Sequence, residues 1–143
     1  MTTITSDAAV GHEITGRAKT VTSLRTWLFS GGWPPGDGWP NKNIHTDLDF
    51  ARSCGLTARN AAGAMIEGYV SELMIDLFGP DWLSSGSYKV KFIRTVDVGD
   101  RVTTMSRIIA RRPDGNMTAF EVELWCENQH GDKVMVGSGT GRI

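Results

Sequence analysis

His45 closes a polar run, Asn41-Lys42-Asn43-Ile44-His45, and is followed by Thr46 and Asp47, either of which can cap a helix start. A neutral imidazole accepts or delivers a proton near neutral pH, so His45 is the first candidate for acid–base chemistry. Gly63 is the second. It opens the longest apolar helical pattern in the chain. A glycine there lets a ligand oxygen approach the free N–H groups and positive dipole end of the helix, which stabilise developing negative charge. Two carboxylates could assist: Glu67, one turn into that helix, and Asp37, in the loop before the histidine. Each also has a plain structural reading, Glu67 as a partly exposed helix residue and Asp37 as a turn residue between Gly36 and Gly38. Asn41 and Asn43 could hold a water molecule but not take its proton. His12 and His130 lie in polar, turn-like contexts and read as surface residues. No His, Cys or Asp cluster has metal-ligand spacing.

The elements that must position these groups follow from periodicity. Residues 12–22, with Ile14, Ala18 and Val21, read as a first strand or extended arm. Thr22 or Ser23 caps a short helix carrying Leu24, Trp27 and Leu28, and Ser30-Gly31-Gly32 stops it. Residues 33–42 form a Pro/Gly loop, ordered despite its composition. A second short helix carries Phe50 and Ala51 and ends at Gly55. Over residues 64–78, Ile66, Val70, Leu73 and Leu77 recur at helical spacing with Met65, Tyr69 and Met74 beside them, a mostly buried helix ended by Gly79-Pro80.

The period then changes to two. Tyr88, Val90 and Phe92 alternate with Lys89 and Lys91, and strands follow over 102–112, 117–126 and 134–143, separated by turns at 112–115 and 128–132. An antiparallel meander with one long buried helix gives an α+β layer, the sheet curling around the helix. Gly137, Gly139 and Gly141 do not precede a helix, so they let a strand bend or another backbone come close.

The 143 residues suffice for one domain, expected over 11–143 after a flexible first ten. Hydrophobic residues at 40% and charged residues at 22% are ordinary, and a net charge of −1 gives no field to attract nucleic acid or an anionic membrane. No apolar run is long enough to span a bilayer, and the polar N-terminus is unlike a signal peptide. Cys54 and Cys126 read as two buried thiols in a reducing compartment, so the expected location is cytoplasmic.

Asn43-Ile44-His45-Thr46-Asp47 with Phe50-Ala51, the Gly63 helix start, and the later run Phe92-Ile93-Arg94-Thr95-Val96-Asp97-Val98-Gly99-Asp100 carry a resemblance. They resemble the MaoC-like hydratases and dehydratases of the hot dog fold superfamily, the (R)-specific enoyl-CoA hydratases among them, over nearly the whole chain. The resemblance implies a hot dog fold, a curved antiparallel sheet around one long helix, and a homodimer paired through sheet edges. It implies a 2-enoyl or 3-hydroxyacyl thioester as substrate, on CoA or a carrier protein. No cofactor is implied beyond the CoA or phosphopantetheine of the substrate itself. His45 would be the acid–base group, the Gly63 N–H the donor to the thioester carbonyl, and Asn43 a substrate-side contact.

The chain departs from the pattern at one place. The aspartate that usually stands five residues before the histidine is Pro40. Asp37, folded back by the loop, or Glu67, similar to the helix acid of related dehydratases, could take its role. Trp33 and Trp39 either staple the loop to the body or wall an acyl pocket suited to a bulky or ring-containing group. Arg111 and Arg112 with Lys89 and Lys91 could meet CoA phosphates, or simply form a solvated strand face. Two other functions fit such a domain: an acyl-CoA thioesterase, and a non-catalytic subunit that shapes a partner's acyl pocket in a heteromer.

Overall fold

The computed structural model describes residues 4–34 and 36–143. Two short strands, β1 (Glu13–Thr15) and β2 (Lys19–Thr20), lead into helix α1 (Ser23–Ser30). After the Pro/Gly loop come α2 (Leu48–Ser53), the long α3 (Gly63–Phe78) and a single turn, α4 (Trp82–Ser85). Four strands finish the chain: β3 (Ser87–Phe92), β4 (Arg101–Asp114), β5 (Met117–Glu127) and β6 (Lys133–Arg142). They form one antiparallel sheet in the order β1-β4-β5-β6-β3, with β2 pairing farther along β4. The sheet therefore places β1 and β3 at opposite edges, with β2 and all four helices between them in the chain.

The expected caps are made. The Thr22 side chain accepts from Arg25 N–H, and the Asp47 side chain accepts from Phe50 N–H. Gly79, at φ 87°, ends α3 in a conformation that favours glycine. Helix α3 buries Met65, Ile66, Val70, Leu73, Met74, Leu77 and Phe78. These meet the inner face of the sheet, Ile108, Phe120, Val122, Leu124 and Met135, in one core. At roughly 1.5–3 kcal/mol for each large side chain buried, this helix–sheet contact dominates stability.

The alternating glycines of β6 explain how the helix lies so close. A Cβ on Gly139 would stand 2.8 Å from Met74 Cε, and one on Gly141 would enter the Phe78 ring. At Gly137 it would meet the backbone of β3, at the Lys89 carbonyl. All three therefore clear space on one face of the strand, for a helix at two positions and a neighbouring strand at the third.

Three expectations change. The first strand is broken in two: Gly16 N–H still bonds to the Thr104 carbonyl of β4 at 2.8 Å, but residues 16–18 then face only residues 103–104 before Lys19 pairs with Val102. The segment expected to be loose packs down from Ile4 onward: Ile4 is buried, and Gly11 N–H bonds to the Ile108 carbonyl at 2.8 Å. Residues 1–3 of that segment lie outside the described residues. Of the two thiols expected to be buried, Cys126 is, and it is pushed up to about 12, first by burial and then by the Glu127 carboxylate. Cys54 is exposed instead, because it is the C-cap residue of α2 and turns outward before Gly55.

Candidate active site

The loop before α2 is tied down from its own residues. Asn43 Oδ1 accepts the His45 N–H at 2.8 Å, a local turn that asparagine makes with the backbone two residues on. Asn43 Nδ2 donates to the Ser30 carbonyl at 2.7 Å, joining the loop to the end of α1. Thr46 Oγ1 accepts from Asn43 N–H at 3.0 Å and donates to the Asn41 carbonyl at 2.6 Å. Trp27 Nε1 and Arg59 both donate to the Thr46 carbonyl, and Arg59 also donates to Ser23 Oγ. Asn43 thus orients the histidine backbone from behind.

The imidazole has a partner that the sequence alone does not disclose. Ala61 N–H bonds to the Val96 carbonyl at 2.7 Å and Val98 N–H to the Arg59 carbonyl at 2.8 Å, an antiparallel bridge centred on Asn60 and Asp97. In such a pair the backbone groups of the two central residues point away from each other. The Asn60 carbonyl therefore faces His45, and His45 Nδ1 lies 2.8 Å from that oxygen and 2.9 Å from Asn60 Oδ1. A backbone carbonyl only accepts, so in the neutral ring Nδ1 carries the proton and Nε2 is the basic nitrogen.

His45, with Ile44, lines a cleft of about 510 Å³. The other walls are Asn60, Ala61, Gly63 and Ile66 at the start of α3, and Phe92, Ile93, Arg94, Thr95 and Val96 just past β3. The three sequence stretches that carry the family resemblance thus meet in one place. Gly63 is the first residue of α3, and its N-cap, Ala62, makes no side-chain cap bond, so the N-cap side chain does not occupy the first N–H groups. The glycine has a packing reason as well: a Cβ there would stand 3.1 Å from Cε2 of the Phe92 ring.

The candidate carboxylates are placed elsewhere. Glu67 is half-buried on α3 and accepts from Tyr88 O–H at 3.4 Å, but it is not among the cleft residues. Asp37 lies exposed in the turn between Gly36 and Gly38, also outside the lining. Pro40 packs against the backbone at Gly31, where an added Cβ would come within 2.6 Å of Pro40 Cβ. Asp97, opposite Asn60, is held above the usual carboxylate range by burial first and by the Asp100 carboxylate second. Trp39 packs edge-on against Trp27 at 6.2 Å and donates to the Gly32 carbonyl, so it staples the loop to α1. Trp33 is 91% exposed, and neither tryptophan lines the cleft. Arg112 pairs with Glu121 and Arg111 reaches the Ala8 carbonyl, and both are exposed. Among the described residues no three His, Cys, Asp or Glu side chains are grouped to hold a metal ion.

Asn60, Arg94 and Thr95 are the cleft groups whose part was not singled out by residue type. Arg94 and Thr95 sit within the resemblance run, but Asn60 carries no signal of its own: its role comes from a bridge to a residue far along the chain.

No protein-family model matches the sequence, and no curated protein sequence matches it significantly. Solved structures do match in shape. The MaoC-like dehydratase from Rhodospirillum rubrum superposes with a TM-score of 0.75 at 18% identity, over 96% of this chain and 93% of that one. The (R)-hydratase PhaJ1 from Pseudomonas aeruginosa gives 0.74 at 18% identity, over 94% and 81%. The HadBC (3R-hydroxyacyl-ACP dehydratase) complex from Mycobacterium tuberculosis gives 0.68 at 13% identity, over 97% and 100%. The architecture is the hot dog fold that these proteins share.

Proposed function

We propose that this hot dog domain hydrates 2-enoyl thioesters, or dehydrates 3-hydroxyacyl thioesters in reverse, on CoA or a carrier protein. The observation that carries this reading is His45, its Nδ1 satisfied by Asn60, in the wall of a cleft shared with the uncapped start of α3. The hydratases and dehydratases of the same fold lend it further support.

In hydration, His45 Nε2 removes a proton from water as the water oxygen bonds to C3. The electron pair of the C2=C3 bond moves into the thioester, whose oxygen becomes an enolate. The Gly63 N–H and the dipole of α3 stabilise that charge. The imidazolium then returns the proton to C2, and water has been added with no co-reactant. One histidine serves in both proton transfers, so Glu67 and Asp37 are helpers at most.

The test is loss of the enoyl-thioester absorbance over short, long and cyclic 2-enoyl-CoAs, with wild type beside His45→Ala. Wild-type turnover that falls about 10²–10⁴-fold in the variant is expected for loss of an acid–base group. Release of free thiol without hydration would instead identify a thioesterase and end the reading.

One observation favours a second reading. Pro40 stands in the aspartate's place and packs on Gly31, so no small shift there restores a carboxylate. A non-catalytic subunit in a heteromer would bind acyl-CoA, turn nothing over alone, and gain activity with a partner chain. In either case the assembly we propose uses β3, the longer of the two edge strands β1 and β3, with a homodimer as the simplest form. Two free thiols, one of them exposed, support a reducing, cytoplasmic setting.

A further inference from the structure

We propose that Asn60 holds the oxygen that is added or removed, standing in for the aspartate absent at position 40. The inference rests on the hydratase reading above. The Asn60 backbone carbonyl accepts from His45 Nδ1 at 2.8 Å, which places the proton on Nδ1 in the neutral ring. The side-chain atom 2.9 Å from that same nitrogen must then be an acceptor, so it is Oδ1. With Oδ1 committed, Nδ2 is turned away from His45 as a donor of two hydrogens.

Among the described residues nothing in the protein accepts from Asn60 Nδ2. Yet it is not a sealed, unsatisfied atom, for among the described residues that condition is met by Ser106 Oγ alone. Asn60 is only 9% exposed and is one of the residues that line the cleft. The amide is therefore nearly buried, fixed on one side by His45, unpaired at Nδ2 among the described residues, and part of the wall of the space where substrate would lie. The bridge between 59–61 and 96–98 holds its backbone rigid.

A donor suits this chemistry. In hydration the Nδ2–H would bind a lone pair of the water and aim one O–H at His45 Nε2. In dehydration it would bind the 3-hydroxyl oxygen as its bond to C3 breaks and the imidazolium protonates it. Asparagine takes no proton itself, which leaves His45 as the one acid–base group. Asn60 thus does two things: Oδ1 positions the imidazole, and Nδ2 touches the reacting oxygen.

The test separates the two atoms. Asn60→Asp keeps an acceptor toward His45 and removes the donor; Asn60→Ala removes both. Each is followed by 15N NMR of the His45 ring, which reads the tautomer directly and shows whether the variant is folded, and by initial hydration rates. The expected result for wild type is an Nδ1–H tautomer. Asn60→Asp should keep that tautomer and lose about 10²-fold in kcat with KM within a few-fold, the size of effect seen when one aimed donor is removed. Asn60→Ala should lose at least as much. Asn60→Asp turning over as fast as wild type would overturn the donor role alone. An Nε2–H tautomer in wild type would overturn the whole inference, even with an active enzyme. A wild type that hydrates no thioester, while keeping the Nδ1–H tautomer, would bring down the proposed function and the donor role with it.

Discussion

At the scale of single residues, charge and burial pull against each other around the Asn60–Asp97 bridge. Asp97 is held above its ordinary 3.8 by burial and by Asp100, so folding favours its protonated form. Below 3.8 both folded and unfolded chains keep the proton and the site costs nothing. As pH rises through the folded value, the unfolded chain has already ionised, and stability is lost; the loss persists at neutral pH. Asp97→Asn should escape it. Its urea midpoint, relative to wild type, is expected to rise between about pH 3 and about pH 7; a difference that stays flat with pH would sink the argument. The same neighbourhood shows what residue types disclose and what they hide. His45 and Gly63 were legible because an imidazole after a polar loop, and a glycine opening an apolar helix, each carry their chemistry in their identity. Asn60 was not, since an asparagine in a connector looks the same whether it faces solvent or an imidazole. Only the pairing of 59–61 with 96–98 decides that.

Elements were legible where their period was long. Four or more turns of apolar spacing identify α3, and strict alternation identifies β3 and β5. The four residues of α4 have no period to read, and its place is set instead by Trp82, which donates to the Thr140 carbonyl and stacks on Tyr88. Nor does sequence reveal that the glycine stripe of β6 is a seat for α3. That seat makes an opposed pair of glycine substitutions informative. Gly141→Ala forces a methyl into the Phe78 ring and should cost about 1–3 kcal/mol. Gly68→Ala, on the exposed side of α3 with open space around it, should gain up to about 1 kcal/mol from helix propensity. Chemical denaturation of both variants measures the two signs. If both stabilise, the helix does not rest on β6 as described.

For the whole molecule, the sheet has an edge whose hydrogen-bonding direction can be read. Ile93 N–H donates to Val134, which makes Phe92 and Met135 a non-hydrogen-bonded pair and sets the phase of the ladder. By alternation, Val90 directs its N–H away from β6 and toward the open side of β3. A proline at position 90 would therefore leave the β6 ladder intact and remove one outward donor. If two chains pair through β3, Val90→Pro should shift the assembly from dimer to monomer in light scattering while the circular dichroism spectrum is kept. A dimer that survives the change would place the interface elsewhere.

The cleft is assembled from residues 44–45, 60–66 and 92–96, which meet only when the sheet has closed over α3. An unfolded chain does not bring these segments together, so a ligand that fits the cleft favours the native state. Binding is then thermodynamically a vote for folding: a compound at a hundred times its Kd would add about 2.7 kcal/mol to stability. A melting-temperature screen over acyl thioesters would consequently sort them by fit without requiring any to react. It would reveal the preferred acyl group of an active enzyme and of an inert subunit by the same readout.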